Sequence, residues 1–460
     1  MSIINNLTRI RQQNIRDCVQ NSDSFSFFNL LTSDDLLDTV EGLLPEHRER
    51  EYPPTETLSM FLAQAMNEDR SCQRVVNDMA IKRLNHGLPL ISCATGGYCR
   101  ARKRLPTDMI SALVRHTGER VYDQLPQKWL WRGKRVCMVD GTTVNMPDTT
   151  ENQAKYPQSG GQKEGLGFPL CRIVGITCLA SGSILNAAYS KTKGKGSTEQ
   201  TLIREICSTF NEGDLVLGDA FYSTYFFLAW LIENSIDGVF EQHGSRKQVV
   251  DFRMGQRLGA KDHILTYKKP KKPYWMSEED YALAPSSINI RELKVGDKVL
   301  ITTMLCAKDV GKIELKNLYK KRWHVELDFR DIKTTMGMET LSCKTPEMIE
   351  KELWVYFLAY NLIRLLMSQS ALLNNVLPRQ LSFKHTLQLW LSWLQCGATL
   401  CEDNMIQLSI LIAQKTVGNR PGRVEPRAVK RRPKPMPLLT RKRAEARADI
   451  IKNGHPRKLK

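Results

Sequence analysis

Three acidic residues stand where this sequence could put them to chemical use. Asp140 and Asp219 each close a short apolar run, "VCMVD" and "LVLGD", and Glu326 lies inside "YKKRWHVELDFRDIK", Tyr319 to Lys333. In open sheets, reacting groups gather at strand ends, where side chains leave the packed layer for a crevice. Taken singly, either aspartate reads as a turn former. The helical stretch says more. At 100° per residue, Tyr319, Arg322, Glu326 and Lys333 project at about 0°, −60°, −20° and −40°. Leu318, Val325, Phe329 and Ile332 form an apolar stripe beside that arc, suited to a core. The plainer reading is a solvated face, since Arg322 and Glu326 have the spacing of a helical ion pair. Lys333, seven residues beyond Glu326, has no such partner.

Three carboxylates brought together from two strands and a helix would repel one another unless cations sat among them. A small set of hard oxygen ligands, with positions left open for water and phosphate, suits Mg²⁺. Two such ions about 3.5–4 Å apart activate a nucleophile and stabilise the leaving oxygen in phosphodiester cleavage. The rest of the arc then reads as phosphate-binding. Arg322 offers a forked contact, Lys333 a point charge and Tyr319 a hydroxyl. On an ideal helix Arg322 and Lys333 are about 16 Å apart along the axis, so they would meet different phosphates of one strand.

Around these residues the chain changes character several times. Residues 1–130 read as helical. "SDDLLDTVEGLL" begins with a Ser33 cap, and the tandem "YPPTETLSMFLAQAMN" and "SCQRVVNDMAIKRL" is compatible with a DNA-reading helix pair. "YCRARKRLP" groups Arg100, Arg102, Lys103 and Arg104 as candidate phosphate contacts. Residues 131–242 read as three strands able to pair antiparallel, followed by alternating helix and strand, hence a mixed α/β sheet. Asp148 falls in a loop and Asp214 at a strand start. Residues 243–307 form a β-rich insertion around a Lys/Pro-rich loop, with no convincing helix. The α/β part resumes at 308–415 with the Glu326 helix and apolar helices. "LWVYFLAYNLIRLLM" is short of a bilayer span and carries Arg364, so it reads as a core helix.

The 460 residues carry a formal net charge of +18. Residues 416–460 hold 15 Lys and Arg against 3 Asp and Glu, a net of +12, which leaves +6 for everything before them. Six prolines interrupt that tail, so it is expected to be disordered and to grip phosphates without sequence preference. The twelve cysteines show no CxxC pair and no zinc-finger spacing. They read as reduced thiols of a cytoplasmic protein. "MSIINNLTRIRQQN" lacks the apolar core of a signal peptide, and no membrane partner is expected.

The Tyr-x2-Arg-x3-Glu-x6-Lys spacing at Tyr319, Arg322, Glu326 and Lys333 resembles the signature of the bacterial insertion-sequence DDE transposases called the YREK, or insertion-sequence-four, family. "VDGTTV" and "LGDAFYS" resemble its first and second acidic blocks, and the likeness extends over roughly residues 20–400. The resemblance implies a ribonuclease-H-like catalytic core with a β-rich insertion and a helical N-terminal DNA-binding domain. It implies cut-and-paste transposition, with Asp140, Asp219 and Glu326 holding two Mg²⁺ ions for which Mn²⁺ may substitute. Its partners would be double-stranded DNA, both transposon ends and target, bound by a homodimer in a synaptic complex at the bacterial nucleoid. Some relatives release the element through a DNA hairpin and hold a flipped base with an aromatic side chain of the insertion. Trp275, the one tryptophan there, is the matching candidate. Members often carry Arg after the second acidic residue, whereas Ala220 stands here. Two other readings share these residues: a metal-dependent nuclease without strand transfer, and a non-catalytic DNA-binding descendant.

Overall fold

The computed structural model describes Gly42 and residues 51–85, 87–161, 163–194, 196–243, 250–396, 402–417 and 441–454. The Ser33-capped segment and most of the basic tail lie outside the described residues. The first three helices are α1 (Pro54–Met66), α2 (Cys72–Asn85) and α3 (Gly96–Arg104). α1 starts on a proline at a position whose N–H has no helical partner. These helices enclose a small core of Tyr52, Met60, Val75, Val76, Met79, Tyr98 and Ala101. The expected phosphate-contact run divides here. Arg102 is buried, stacked on the Phe61 and Tyr98 rings and bonded to Gln64 Oε1, while Arg100, Lys103 and Arg104 remain exposed.

α4 (Thr107–Asp123) does not stay with that group. Its Met109, Ile110, Leu113 and Val114 join the main core. A Cβ at Gly118 would lie 2.3 Å from the Ile184 carbonyl oxygen, so this helix lies directly on the sheet backbone. The expected boundary at residue 130 therefore cuts through packed structure.

The sheet has nine strands: β1 (Val136–Asn145), β2 (Leu170–Cys178), β3 (Ile184–Lys191), β4 (Leu215–Leu217), β5 (Asp237–Glu241), β6 (Gln256–Gly259), β7 (Asp262–Lys268), β8 (Ser287–Val295) and β9 (Lys298–Thr302). Their order is β3-β2-β1-β4-β5-β9-β8-β7-β6. β1, β2 and β3 are antiparallel neighbours, and β4 and β5 continue parallel to β1. The insertion is not a separate sheet. β9 pairs antiparallel with β5 through Val239–Thr302, Phe240–Ile301 and Glu241–Leu300, which extends one continuous surface. It also contains a helix that the sequence reading lacked, Glu278–Leu283. That helix is capped by Ser277 and has three acids in its first turn.

Alternation along the strands feeds two layers. Val136, Met138 and Val144 face the core shared with α4 and the long helix Pro346–Leu373, whereas Cys137 and Val139 face the helices Glu199–Glu205 and Tyr225–Glu233. In chain order α5 is Thr150–Lys155, α6 is Glu199–Glu205, α7 is Tyr225–Glu233, α8 is Glu278–Leu283, α9 is Lys312–Lys320, α10 is His324–Arg330 and α11 is Pro346–Leu373. α12 (Phe383–Cys396) and α13 (Glu402–Ala413) follow. α11 holds Arg364 buried among core side chains, as expected of an internal helix. Among the described residues, no helix is long and apolar enough to cross a membrane.

The tail departs from the expectation of disorder. Residues Arg443–Asn453 form α14, and Arg443 packs over the Phe168 ring and pairs with Asp148. Proline-free sequence with i, i+4 partners such as Asp449–Asn453 sustains this last helix.

Candidate active site

Asp140 sits on β1 just past the point where β4 stops pairing with it, at Met138. Asp219 follows β4 by two residues and caps a 3₁₀ turn, Ala220–Tyr222. Each aspartate is oriented by one backbone N–H. Gly141 N–H donates to Asp140 Oδ1 at 2.8 Å, and Phe221 N–H donates to Asp219 Oδ1 at 2.8 Å. Both acids thus flank the crevice opened by the short β4.

Glu326 arrives on α10, which lies across β1. The reason is a fit between a ring and a missing side chain. Gly175 of β2 is paired with Asp140, and a Cβ there would meet Phe329 Cζ at 2.9 Å. Phe329, one turn beyond Glu326, fills that space. Beneath it, buried Asp328 accepts from Tyr360, Arg364 and Arg379 at 2.9–3.1 Å, tying α10 to α11 and to the loop after it. Beyond α10, Asn145 of β1 exchanges backbone bonds with Glu339 and Leu341, which secures the far end.

The expected straight helix from Tyr319 to Lys333 is not regular. A 3₁₀ turn at Lys321–Trp323 and a π turn at Asp331–Thr335 interrupt it. Such irregular turns re-aim side chains and cluster at functional sites. Arg322 lies between two of the acids, with Nη2 3.0 Å from Glu326 Oε1 and Nη1 3.8 Å from Asp140 Oδ2. Lys333 turns toward β1 and donates to Thr142 Oγ1 at 3.1 Å, two residues from Asp140. The expected span along a helix axis therefore does not describe its reach. Tyr319 is directed elsewhere: its hydroxyl donates to Glu241 Oε2 at 3.4 Å, at the end of β5.

Burial pushes the Asp140 carboxyl up to about 6, and the charges of Asp219 and Glu326 add to this. The Gly141 N–H and Arg322 oppose it. Asp140 therefore feels both other acids. Among the described residues, however, no three His, Cys, Asp or Glu side chains already surround a single ion-sized point. The Arg322 guanidinium occupies that role for Asp140 and Glu326, a cation held between oxygen ligands. The donor set fits a hard divalent ion, provided Arg322 withdraws.

Trp275 lies apart from this group, on the helical layer behind the sheet. The Arg204 guanidinium covers its indole face at 3.7 Å from the ring centroid, and the Phe226 ring meets it edge-on at 6.0 Å. It is about one-third exposed, at 37%.

The Transposase DDE domain family matches residues 131–362, half of the chain and all of the elements bearing these acids. The chain belongs to the DDE transposase family. It is also 27% identical over 413 residues to Transposase InsG for insertion sequence element IS4 of Escherichia coli (strain K12), covering 86% of this chain and 89% of that one. This agrees with the resemblance carried by the Tyr319, Arg322, Glu326 and Lys333 spacing. A piggyBac transposase, solved by cryo-electron microscopy as a synaptic complex with hairpin DNA, aligns with a TM-score of 0.43 at 9% identity, over 87% of each chain.

Several groups around these acids were not singled out in the sequence. Gly175, Asp328 and Thr142 act through contacts that no local spacing announces. Glu199, at the start of α6, accepts from Tyr222 Oη at 3.1 Å on the same 3₁₀ turn that Asp219 caps. Its only sequence signal is the Ser-Thr-Glu start of a helix.

Proposed function

We propose that this transposase excises and inserts an insertion sequence by divalent-cation-dependent phosphodiester cleavage and strand transfer at the element's terminal inverted repeats. Asp140, Asp219 and Glu326 are the cation ligands, on a ribonuclease-H-like core. The observation that carries this reading is the Arg322 guanidinium between Asp140 and Glu326, a positive group already held where two acids meet. The strand order β3-β2-β1-β4-β5, with the acids at β1 and just after β4, supports the core assignment. Two Mg²⁺ ions, or Mn²⁺ in their place, would supply activation of the attacking oxygen and stabilisation of the leaving one.

The chain's own residues then have distinct tasks. Arg322 exchanges a carboxylate partner for a DNA phosphate, which its fork can bind in two places. The acids are thereby released for the cation as substrate arrives. Lys333, beside Asp140 on Thr142, sets the strand next to the reacting phosphate. Tyr319, leaning on Glu241, marks the β5 side of the same groove. Trp275, capped by Arg204, offers one ring face for stacking on an unpaired base. Exposed Arg100, Lys103 and Arg104 and the basic tail add non-specific phosphate contacts. Double-stranded end and target DNA are the partners, bound by a homodimer in the synaptic state.

The test incubates the purified full chain with Mg²⁺ and DNA carrying the element's two ends. Excised element and its joining to a second DNA are the expected products. Cleaved 3′-hydroxyl ends that never join would make it a nuclease. End binding without any cleavage would make it a DNA-binding descendant.

A further inference from the structure

Two residues with left-handed backbone meet where the N-terminal helices touch the part that bears the acids. Arg70, in the short turn between α1 and α2, has a φ of 53°, and Gly337, just past the π turn that carries Lys333, has a φ of 88°. The Arg70 guanidinium donates to the Gly337 carbonyl oxygen. A Cβ at Gly337 would fall 2.3 Å from Arg70 Nη1 and 2.7 Å from its Cζ, so only glycine admits the guanidinium here. A non-glycine residue at positive φ persists only where its surroundings fix it.

Both ends of this contact are anchored. On the N-terminal side, buried Gln64 of α1 donates to the Arg70 carbonyl at 2.8 Å. The same side chain accepts from Tyr98 Oη and Arg102 Nη1 of α3 at 2.9 and 3.2 Å. The backbone of Arg70 therefore follows α1 and α3 together. On the other side, the Met336, Met338 and Glu339 N–H groups donate back to the carbonyls of Asp331, Ile332 and Lys333 at 3.0, 3.2 and 3.1 Å. Gly337 lies inside that closure, and the Lys333 side chain leaves it for Thr142 on β1. The Arg70 guanidinium also lies beside the buried Tyr356 hydroxyl of α11.

We propose that Arg70 is a positioning residue that links the seating of the N-terminal helices to the placement of Lys333. It touches neither DNA nor cation. Exposed Arg100, Lys103 and Arg104 share α3 with Arg102, so a strand held by them acts on Lys333 by way of Gln64, Arg70 and Gly337. This rests on the proposed binding of DNA by α3 and by Lys333, and deepens that reading. It also gives glycine at residue 337 a second task besides its positive φ, which is to leave the space that Arg70 enters.

The test compares the full chain with Arg70→Asn and Arg70→Lys. Asparagine accepts positive φ and removes the guanidinium, whereas lysine keeps a charged donor. Hydrogen exchange without DNA, read by mass spectrometry, compares a peptide covering residues 331–339 with peptides from α1 and α2. In Arg70→Asn the 331–339 peptide is expected to exchange roughly tenfold faster, on the scale of a residue that couples two sites, while α1 and α2 stay within about twofold. At saturating end DNA with Mg²⁺, Arg70→Asn should nick roughly tenfold more slowly, with the dissociation constant for end DNA within about twofold of the parent. Arg70→Lys should recover part of both losses. Unchanged exchange over 331–339, or loosening confined to α1 and α2, would overturn the inference, because Arg70 would then only brace the helices. So would parent-like nicking, or a loss of rate matched by a loss of affinity. If the parent itself never nicked end DNA, the cleavage reading would fail instead, and the exchange comparison alone would decide the role of Arg70.

Discussion

Arg322 donates from Nη2 to Glu326 Oε1 at 3.0 Å, one helical turn away on the same irregular helix. The pair places one positive group against two carboxylates, Glu326 and Asp140, and offsets their mutual repulsion. In the proposed reaction a DNA phosphate would take the arginine away from them.

Replacing Arg322 should therefore affect chemistry more than grip. Arg322→Ala is expected to lower the rate of strand cleavage by about 10²-fold or more, the scale of a lost transition-state contact. The dissociation constant for end DNA should change far less. Arg322→Lys restores charge but not the fork, so it should recover only part of the rate. Single-turnover cleavage beside a binding isotherm checks this. Equal losses in both would put Arg322 in general DNA binding.

Alanine at Asp140, Asp219 or Glu326 should abolish cleavage while end binding persists. Asp214 looks like a neutral comparison in the sequence and is not one. Its carboxylate is buried and pairs with Arg135 at 2.6 Å. Asp214→Ala takes away one of the two carboxylates that hold this buried arginine, Glu119 being the other, at a cost of about 1.5–3 kcal/mol. Thermal melting should fall sharply for Asp214→Ala and hardly at all for Asp219→Ala. The reverse pattern would mean that the acids have been assigned the wrong way round.

The raised Asp140 carboxyl gives a pH signature without metal. Its proton is held more tightly folded, at about 6, than in an unfolded chain, at 3.8. Its stabilising contribution is therefore complete below the unfolded value and is lost as pH rises through about 6. Asp140→Asn removes that loss. In chelator at pH 7.5 it should melt a few degrees above the parent, and at pH 4 the two should coincide. An unchanged melting temperature at pH 7.5 would show that Asp140 carries no buried-charge penalty.

Deleting residues 418–460 should weaken binding to any DNA and flatten its dependence on salt. Discrimination between end DNA and random DNA should survive. The cut spares Thr416 and Val417, which bridge to Leu381 and bond to Gln380. It does remove Arg443 from Asp148, so the parallel variant Arg443→Ala is needed to separate docking from charge. Loss of discrimination in the truncation alone would place part of the reader in the tail.

What the sequence made legible followed from local pattern. Apolar runs ending in Asp140 and Asp219, and the spacing of Tyr319, Arg322, Glu326 and Lys333, are visible because period and spacing are short-range. What it hid was long-range or irregular. The π turn that carries Lys333 to Thr142 cannot be inferred from a 100° wheel. The Tyr319 contact with Glu241 depends on where β5 ends. The packing of Phe329 on Gly175 and of Glu199 on Gly141 needs the sheet itself. Arg102 read as surface charge because nothing in "YCRARKR" announces the Phe61 and Tyr98 rings that cover it.

The shared sheet also limits how this protein can move. Because β9 is hydrogen-bonded to β5 over three residue pairs, the insertion has no hinge of its own there. With a twist of about 20–25° per strand, nine strands turn the two edges by roughly half a revolution. A duplex that touched both the far edge of the insertion and Asp140, as the proposed function asks, would have to follow that pitch.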